Sequence, residues 1–534
     1  MLYVLVTKHI NLPAGQAGKH KEHNKKVVKL SYYNYNILIS QYPNINSPLT
    51  THHSPFMSHS KFYSSLLLLI VLNAFIKPFW IFGIDRQVQN ITGAAEYGTY
   101  FSLLNLSIVF GFLLDWGLTN FINRELAAKK TELQQQLGSF ILLKILFAVV
   151  YTIVVIAVAI LSGVKRWDIL AGVIAIQFLT FLFLLLRNII TANQWFKTDA
   201  WLSVLDKGLM IVLAGSFIFF PAIFGSISID KFLLTQIAST TIAVIIVFVI
   251  LYSHQIRFKK PDLRFFTRSV VFSVLPFALV VFLMSVHVRA DGFLLERIHP
   301  EGAHEAGIYA AAYRLLDASN MVGYLVASFF MPFIARLWSE EQPLEKTILQ
   351  TRHLLLMFAV TIAAIVIVLA PSLQKILYHR DDAYSVKVLR WCLPALIGYS
   401  FVQVYGTVMT ATGSVVAFCY LNLVAVLINI ILNLFLIPHY GAFGCCISAL
   451  CSQAFLAVAT MTFVNRKLRI SAGASSLSLY LLTGLLIAGI LYLLSGTSLH
   501  TFFTLLIATL VSFLVMWSTK MISLNSWLSF LKKQ

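Results

Sequence analysis

The sequence predicts an all-α integral membrane protein, and three observations carry that prediction. Hydrophobic residues make up 59% of the 534-residue chain and charged residues only 11%, against about 25% charged in soluble domains. The apolar residues arrive in runs of roughly 20, the length that crosses a ~30 Å hydrocarbon core as a helix. The third observation is an echo: "GAAEYGTY" begins at Gly93 and "GAHEAGIY" at Gly302, each between two apolar runs. Backbone amides in lipid must be satisfied within the segment, which a helix does. Barrel strands would need alternating segments of about 10 residues, and these are absent.

Taken in order, residues 1–56 come first, a polar stretch with six lysines against one acid, Glu22. They lack helical period and signal-peptide design and read as a disordered tail or a spurious N-terminal extension, since Met57 opens "MSHSKFYSSLLLLI" like a natural start. Fourteen spans follow, near 62–84, 98–122, 138–162, 169–191, 200–222, 232–252, 269–295, 305–332, 352–370, 389–412, 415–437, 442–464, 476–495 and 499–518. Lys and Arg in the short loops orient them. With the N-terminus inside, the inner connections hold roughly twice the basic residues of the outer ones, most clearly in "HQIRFKKPDLRFFTRS". The outer segment "LQKILYHRDDAYSVKVLR" breaks the bias and is expected to be an amphipathic surface helix. Five cysteines (Cys392, Cys419, Cys445, Cys446, Cys451) fall inside spans with no CxxC or metal spacing, and read as small apolar packers.

The echo organises these spans. Its copies lie between spans 1 and 2 and between spans 7 and 8, so an even number of crossings separates them and both face one side. That predicts two six-helix lobes in parallel pseudo-repeat, with two helices left over. The domains are then an N-lobe at 57–255, a basic linker at 256–268, a C-lobe at 269–470, and 471–534 with the last two spans and a tail. Gly93 and Gly302 are expected to supply positive φ for tight turns. Glu96 and Glu305 would sit near helix N-termini, where a carboxylate is favoured.

The stretches "AAEYGTYFSLLNLSIVFGFLLDWGLTNFINRELA" and "AGIYAAAYRLLDASNMVGYLVASFFMPFIARL" resemble the polysaccharide exporter branch of the multidrug/oligosaccharidyl-lipid/polysaccharide (MOP) exporter superfamily. Tyr309, Ala312, Tyr313, Pro332, Arg336 and Leu337 match that branch's usual pattern, and the likeness covers about residues 60–520. The resemblance implies an O-antigen (Wzx-type) flippase for an undecaprenyl-pyrophosphate-linked oligosaccharide, set in a bacterial inner membrane with both termini cytoplasmic. It also implies a cationic cavity between the lobes. Membrane lipids are the surroundings, and a polysaccharide polymerase or chain-length machinery is an expected partner. No nucleic acid, cofactor or metal is implied.

Charges inside spans mark candidate cavity residues, because each costs ~2.5–3.5 kcal/mol at mid-helix on insertion scales. Lys77 shares a face with Asn73 one turn earlier, and Pro78 permits a kink. In "SVHVRADGF", Arg289 suits phosphate oxygens. His287 and Asp291, at i,i+4, form either a proton-coupling pair or a structural hydrogen bond. Span 8 carries a polar-aromatic stripe of Tyr309, Tyr313, Asp317, Asn320 and Tyr324 suited to sugars, with Arg314 placed to pair with Asp317. Asp115 could balance Lys77. Arg187 is expected to snorkel, and Asp206 and Lys207 to be interfacial. Asn422, Asn429 and Asn433 share a stripe on span 11 that interhelical hydrogen bonding also explains. Substrate candidates are thus Lys77, Arg289, Arg314, Asn73, Tyr309, Tyr313, Asn320 and Tyr324; ion-coupling candidates are Asp115, His287, Asp291 and Asp317.

No GxxxxGKS, HExxH or GxSxG occurs, so the reading is a transporter and not an enzyme, with no catalytic residues. The competing readings are a lipid II flippase, a drug or metabolite antiporter of the same superfamily, and a membrane glycan polymerase or ligase. The last of these would be expected to keep a large outer loop.

Overall fold

The computed structural model describes residues 59–116, 137–254, 256, 268–470, 474–495, 507, 510, 511 and 514. The expected tail at 1–56, the interior of the basic linker at 256–268 and most of span 14 lie outside the described residues. Eleven helices among the described residues are long and apolar enough to cross a membrane, and the chain is a multi-pass membrane protein. The helix Val415–Leu468 contains non-helical Gly441 (φ 53°, ψ −131°), which divides spans 11 and 12. Span 2 is also broken, into Ala94–Val109 and Phe112–Asp115.

Span 1 runs as an α-helix over His59–Phe79, a π-helix over Trp80–Asp85 and an α-helix over Arg86–Thr92. Pro78, which withholds an amide and crowds the carbonyl one turn back, lies just before the change, and the π-helix follows directly after it. The sequence boundary at 84 is therefore too early. Hydropathy stops at Asp85, but the backbone continues to Gly93, whose φ of 83° ends the helix as expected. Gly302 does not take positive φ; it is glycine because a Cβ there would strike the backbone of Glu296.

Spans 3 to 6 follow as Leu137–Leu161, Trp167–Ala192, Phe196–Phe219 and Ile229–Ser253. Spans 7 to 9 are Arg268–Ile298, Gly302–Ser339 and Glu345–Tyr378. Span 8 has 38 residues and is about 57 Å long at 1.5 Å per residue, so it outruns the hydrocarbon core. The anticipated surface helix is replaced by two elements. Its first half finishes span 9, and Ala383–Cys392 begins span 10, capped by Asp382, whose Oδ2 accepts the Ser385 amide at 2.7 Å. Ala395–Ala411 completes span 10 beyond Pro394, and Ala474–Ser495 is span 13.

The packing repeats. Span 1 packs on span 5 and span 4 on span 6; spans 7 and 10 both pack on the span 11–12 helix. One apolar core lies within the N-lobe around Phe140, Leu186 and Val247, and one within the C-lobe around Ile348, Val404 and Val464. The largest straddles the lobes, joining Tyr97, Tyr100 and Phe101 to Tyr309 and Tyr313. Here the echo finds its explanation. A Cβ on Gly98 would collide with the backbone of Ala303 and Gly307, and one on Gly307 with the backbone of Ala94. Spans 2 and 8 thus cross main chain against main chain through matching glycines.

Gly98→Ala is expected to lower stability by about 1–3 kcal/mol through overpacking, seen as a lower melting temperature of the purified protein. Gly208→Ala, where an added Cβ meets nothing within 4 Å, is expected to be neutral or slightly stabilising.

Candidate functional site

In the N-lobe, spans 1 and 5 assemble a polar cluster in the middle of the bundle. Asn73 Nδ2 donates to Ser203 Oγ at 2.7 Å and to Leu69 O at 2.8 Å. One turn on, Lys77 is partly exposed, and its charged neighbours are Asp206, Arg187 and Lys207. Lys207 Nζ lies 3.3 Å from Asp206 Oδ2 and 5.4 Å from the centroid of the Trp80 ring. These two residues are not interfacial, because they occupy the middle of the 24-residue helix Phe196–Phe219. Arg187 does not snorkel free either: its Nε meets Asp199 Oδ1 at 2.8 Å, joining spans 4 and 5. Among the described residues, Lys77 alone of this group has no ion-pair partner.

Asp115 does not balance Lys77. It meets Lys144 Nζ at 3.0 Å, and the lysine side chain is fully buried between span 3 and the broken end of span 2. Lys144, in the first third of the helix Leu137–Leu161, was not among the residues the sequence singled out.

In the C-lobe, Arg314 does not pair with Asp317. Arg289 Nη2 takes Asp317, at 3.0 Å to Oδ2 and 3.1 Å to Oδ1, with the guanidinium 5.2 Å from the Tyr313 centroid. Arg314 reaches across the lobe interface instead. Its Nε lies 2.8 Å from Asp85 Oδ2 and donates to Tyr97 OH at 3.0 Å; that hydroxyl donates to Asp85 at 2.7 Å. Asp85 and Tyr97 were missed because the expected spans 1 and 2 left both in a loop. The cluster Asp85, Arg86, Gln89, Asn90 was the available signal, since its spacing is helical.

The span 8 stripe divides along its length. Tyr309 and Tyr313 are buried against Phe101, and Tyr313 OH donates to Val288 O at 2.9 Å. Asn320 is buried as well and accepts from Gln403 Nε2 at 2.8 Å. These three do not line an open surface in this conformation. Tyr324 does, at 47% exposed, and the Arg289 and Asp317 side chains retain 18% and 24% exposure.

His287 and Asp291 are not bonded to each other. His287 Nε2 faces Ser452 Oγ at 2.9 Å. Asp291 accepts from Asn433 Nδ2 at 2.6 Å and from Tyr309 OH at 3.2 Å. Asn433 donates to Asn429 Oδ1 at 3.1 Å, and Asn429 Nδ2 to Ser452 Oγ at 3.4 Å, closing a buried chain between spans 7, 8, 11 and 12. The asparagine stripe is therefore part of this chain at Asn429 and Asn433, while Asn422 turns back to Phe418 O. No salt bridge among the described residues neutralises Asp291.

The two echo glutamates bind different partners. Glu305 Oε2 accepts from Tyr384 OH at 2.6 Å and from the Ala442 amide at 2.7 Å, capping span 12. Glu96 meets Arg166 at 3.1 Å. Hydrogen bonds to Asp168, then to Glu96, raise the Arg166 pKa above its ordinary value in the loop before span 4.

The family model MatE matches residues 276–435. No curated protein matches the sequence. A structure of the lipid II flippase MurJ in an inward closed conformation has TM-score 0.58 and 16% identity, covering 84% of this chain and 97% of that one. An inward-facing multidrug resistance MATE family transporter of the MOP superfamily has TM-score 0.58 and 15% identity, covering 76% and 98%. A MOP superfamily transporter from Pyrococcus furiosus has TM-score 0.57 and 15% identity, covering 77% and 95%. The fold is thus the one these membrane transporters share.

Lys144→Met removes one partner of a buried pair and is expected to destabilise by about 3–5 kcal/mol. Combining it with Asp115→Leu should recover much of the loss, as read by thermal unfolding of the purified variants.

Proposed function

We propose that the chain is a flippase. It moves an undecaprenyl-pyrophosphate-linked oligosaccharide, such as an O-antigen unit, from the inner to the outer leaflet of a bacterial inner membrane. The sugars and diphosphate of such a lipid cannot shed their water in hydrocarbon, so they need a polar path between two lobes that open alternately. The observation that carries the reading is Lys77, a mid-bundle, partly exposed cation with no ion-pair partner among the described residues, beside a second lysine, Lys207. A net positive site of this kind attracts a diphosphate and repels a cationic drug. On the other lobe Arg289, held by Asp317, and exposed Tyr324 offer a guanidinium fork and an aromatic face for phosphate and sugar. The fold match to a lipid II flippase supports a lipid-linked substrate and keeps lipid II as the second reading.

In this reading Asp291 is the coupling group. A buried carboxylate ringed by amide and hydroxyl donors, with no salt-bridge partner among the described residues, can exchange a proton or small cation as its helices shift. The Gly93 end is the outer one, both termini are cytoplasmic, and a polymerase takes the delivered glycan.

Lys77→Ala and Arg289→Ala are each expected to abolish surface glycan display in cells without lowering the amount of protein, while Lys77→Arg keeps part of it; Arg314→Ala, which strips the buried Asp85 of its partner, is expected to lower display and the amount of protein together. Normal display in the Lys77 and Arg289 alanine variants would refute the assignment. In proteoliposomes, Asp291→Asn is expected to make transport insensitive to an imposed ion gradient; retained sensitivity would remove its coupling role.

A further inference from the structure

At the Gly93 end, side chains of each lobe reach over to the other, and both sets stop on backbone carbonyls at a helix C-terminus. From the N-lobe, Arg86 Nη1 donates to Ile376 O at 3.3 Å and Asn90 Nδ2 to Leu377 O at 3.0 Å. These carbonyls belong to the last turn of span 9, which ends at Tyr378. From the C-lobe, Arg297 Nη1 donates to Ser162 O at 3.3 Å and Gly163 O at 3.1 Å. Those carbonyls follow directly on span 3, whose helix ends at Leu161.

The final carbonyls of a helix have no partner within it and carry the negative end of its dipole, so a guanidinium or amide donor is favoured there. The local backbone leaves these acceptors open. The His379 amide after span 9 turns back to Gln374 O, and the Val164 amide after span 3 to Ala159 O. In the six-plus-six repeat, span 1 corresponds to span 7 and span 3 to span 9. The arrangement is therefore reciprocal: the end of span 1 caps span 9 of the opposite lobe, and the end of span 7 caps span 3.

We propose that Arg86, Asn90 and Arg297 form a reciprocal capping latch that holds the lobes together at this end, and that both caps must release for this end to open. The proposal rests on the alternating-access reading. Such a latch suits a gate, because its donors and acceptors lie at the partly exposed rim, where water can replace each lost bond at little net cost. It differs from the pair of Arg314 and Asp85, whose aspartate side chain is only 3% exposed.

The test uses the full-length protein in nanodiscs without substrate, its five cysteines replaced. Spin labels at exposed Ser226 in the N-lobe and Glu301 in the C-lobe report the lobe separation by pulsed electron paramagnetic resonance. Arg86→Ala with Arg297→Ala is expected to raise the separated population about fivefold or more, and each single substitution or Asn90→Ala less. Arg166→Ala is the control; it lies at the same end but bonds only within the N-lobe, so its distances should match the parent. The pair Arg86→Lys with Arg297→Lys, which keeps charge and loses the fork, should shift the population in the same direction and serves if the alanine pair does not fold. An unchanged distance distribution in a folded double variant overturns the latch. The readout needs no glycan, so a shifted distribution alongside normal glycan display in the Lys77 and Arg289 variants would sink the substrate assignment and leave the latch standing.

Discussion

The structure hangs on one close approach: the main chain of span 2 at Gly98 against that of span 8 at Gly307. Two helices can come this near only where neither carries a side chain at the crossing. The approach sets the spacing of everything beside it. Gln89 Nε2 reaches Gly307 O at 2.7 Å, and Arg314 reaches Asp85 and Tyr97 at 2.8 and 3.0 Å. A wider crossing would stretch each of these beyond hydrogen-bond range. The apolar core that straddles the lobes, from Tyr97 and Phe101 to Tyr309 and Tyr313, fills the space around that crossing.

The second theme is compensation. Arg187, Arg289, Arg314, Lys144 and Lys207 each face an aspartate. A charge withdrawn from water is tolerable when paired and costly when alone, so these pairs are what a stable bundle requires. The formal charge of +19 therefore says little about the interior of the bundle. Among the described residues that cluster on spans 1, 4 and 5, Lys77 is the cation without an ion-pair partner. With Arg187 matched by Asp199 and Lys207 by Asp206, the cluster keeps the single charge of Lys77, whereas Arg289 is matched by Asp317.

Much of the fold was legible in the sequence. Hydrophobic runs located the spans because lipid demands helices of a certain length. Gly93 gave away its turn, and the echo gave away the repeat. The misreadings share a cause. Hydropathy marks where a chain leaves the apolar layer, not where its helix ends, so it closes span 1 at 84 and leaves Asp85, Arg86, Gln89 and Asn90 in a loop. The supposed surface helix failed for the same reason, being the polar ends of spans 9 and 10. Side-chain pairing was read least well. Along one helix Arg314 and Asp317 look like partners, yet each found a better one on another span.

The sequence alone determined the helices, their number to within the described residues, and the doubling of the design, because these follow from local composition and covalent order. Only the tertiary structure decided which aspartate neutralises which cation, that Tyr309 and Tyr313 are covered while Tyr324 is open, and that Asp291 and His287 join one polar chain without touching. Those outcomes depend on distances between residues far apart in the chain, set by how closely helices approach. No periodicity within a single helix carries that information.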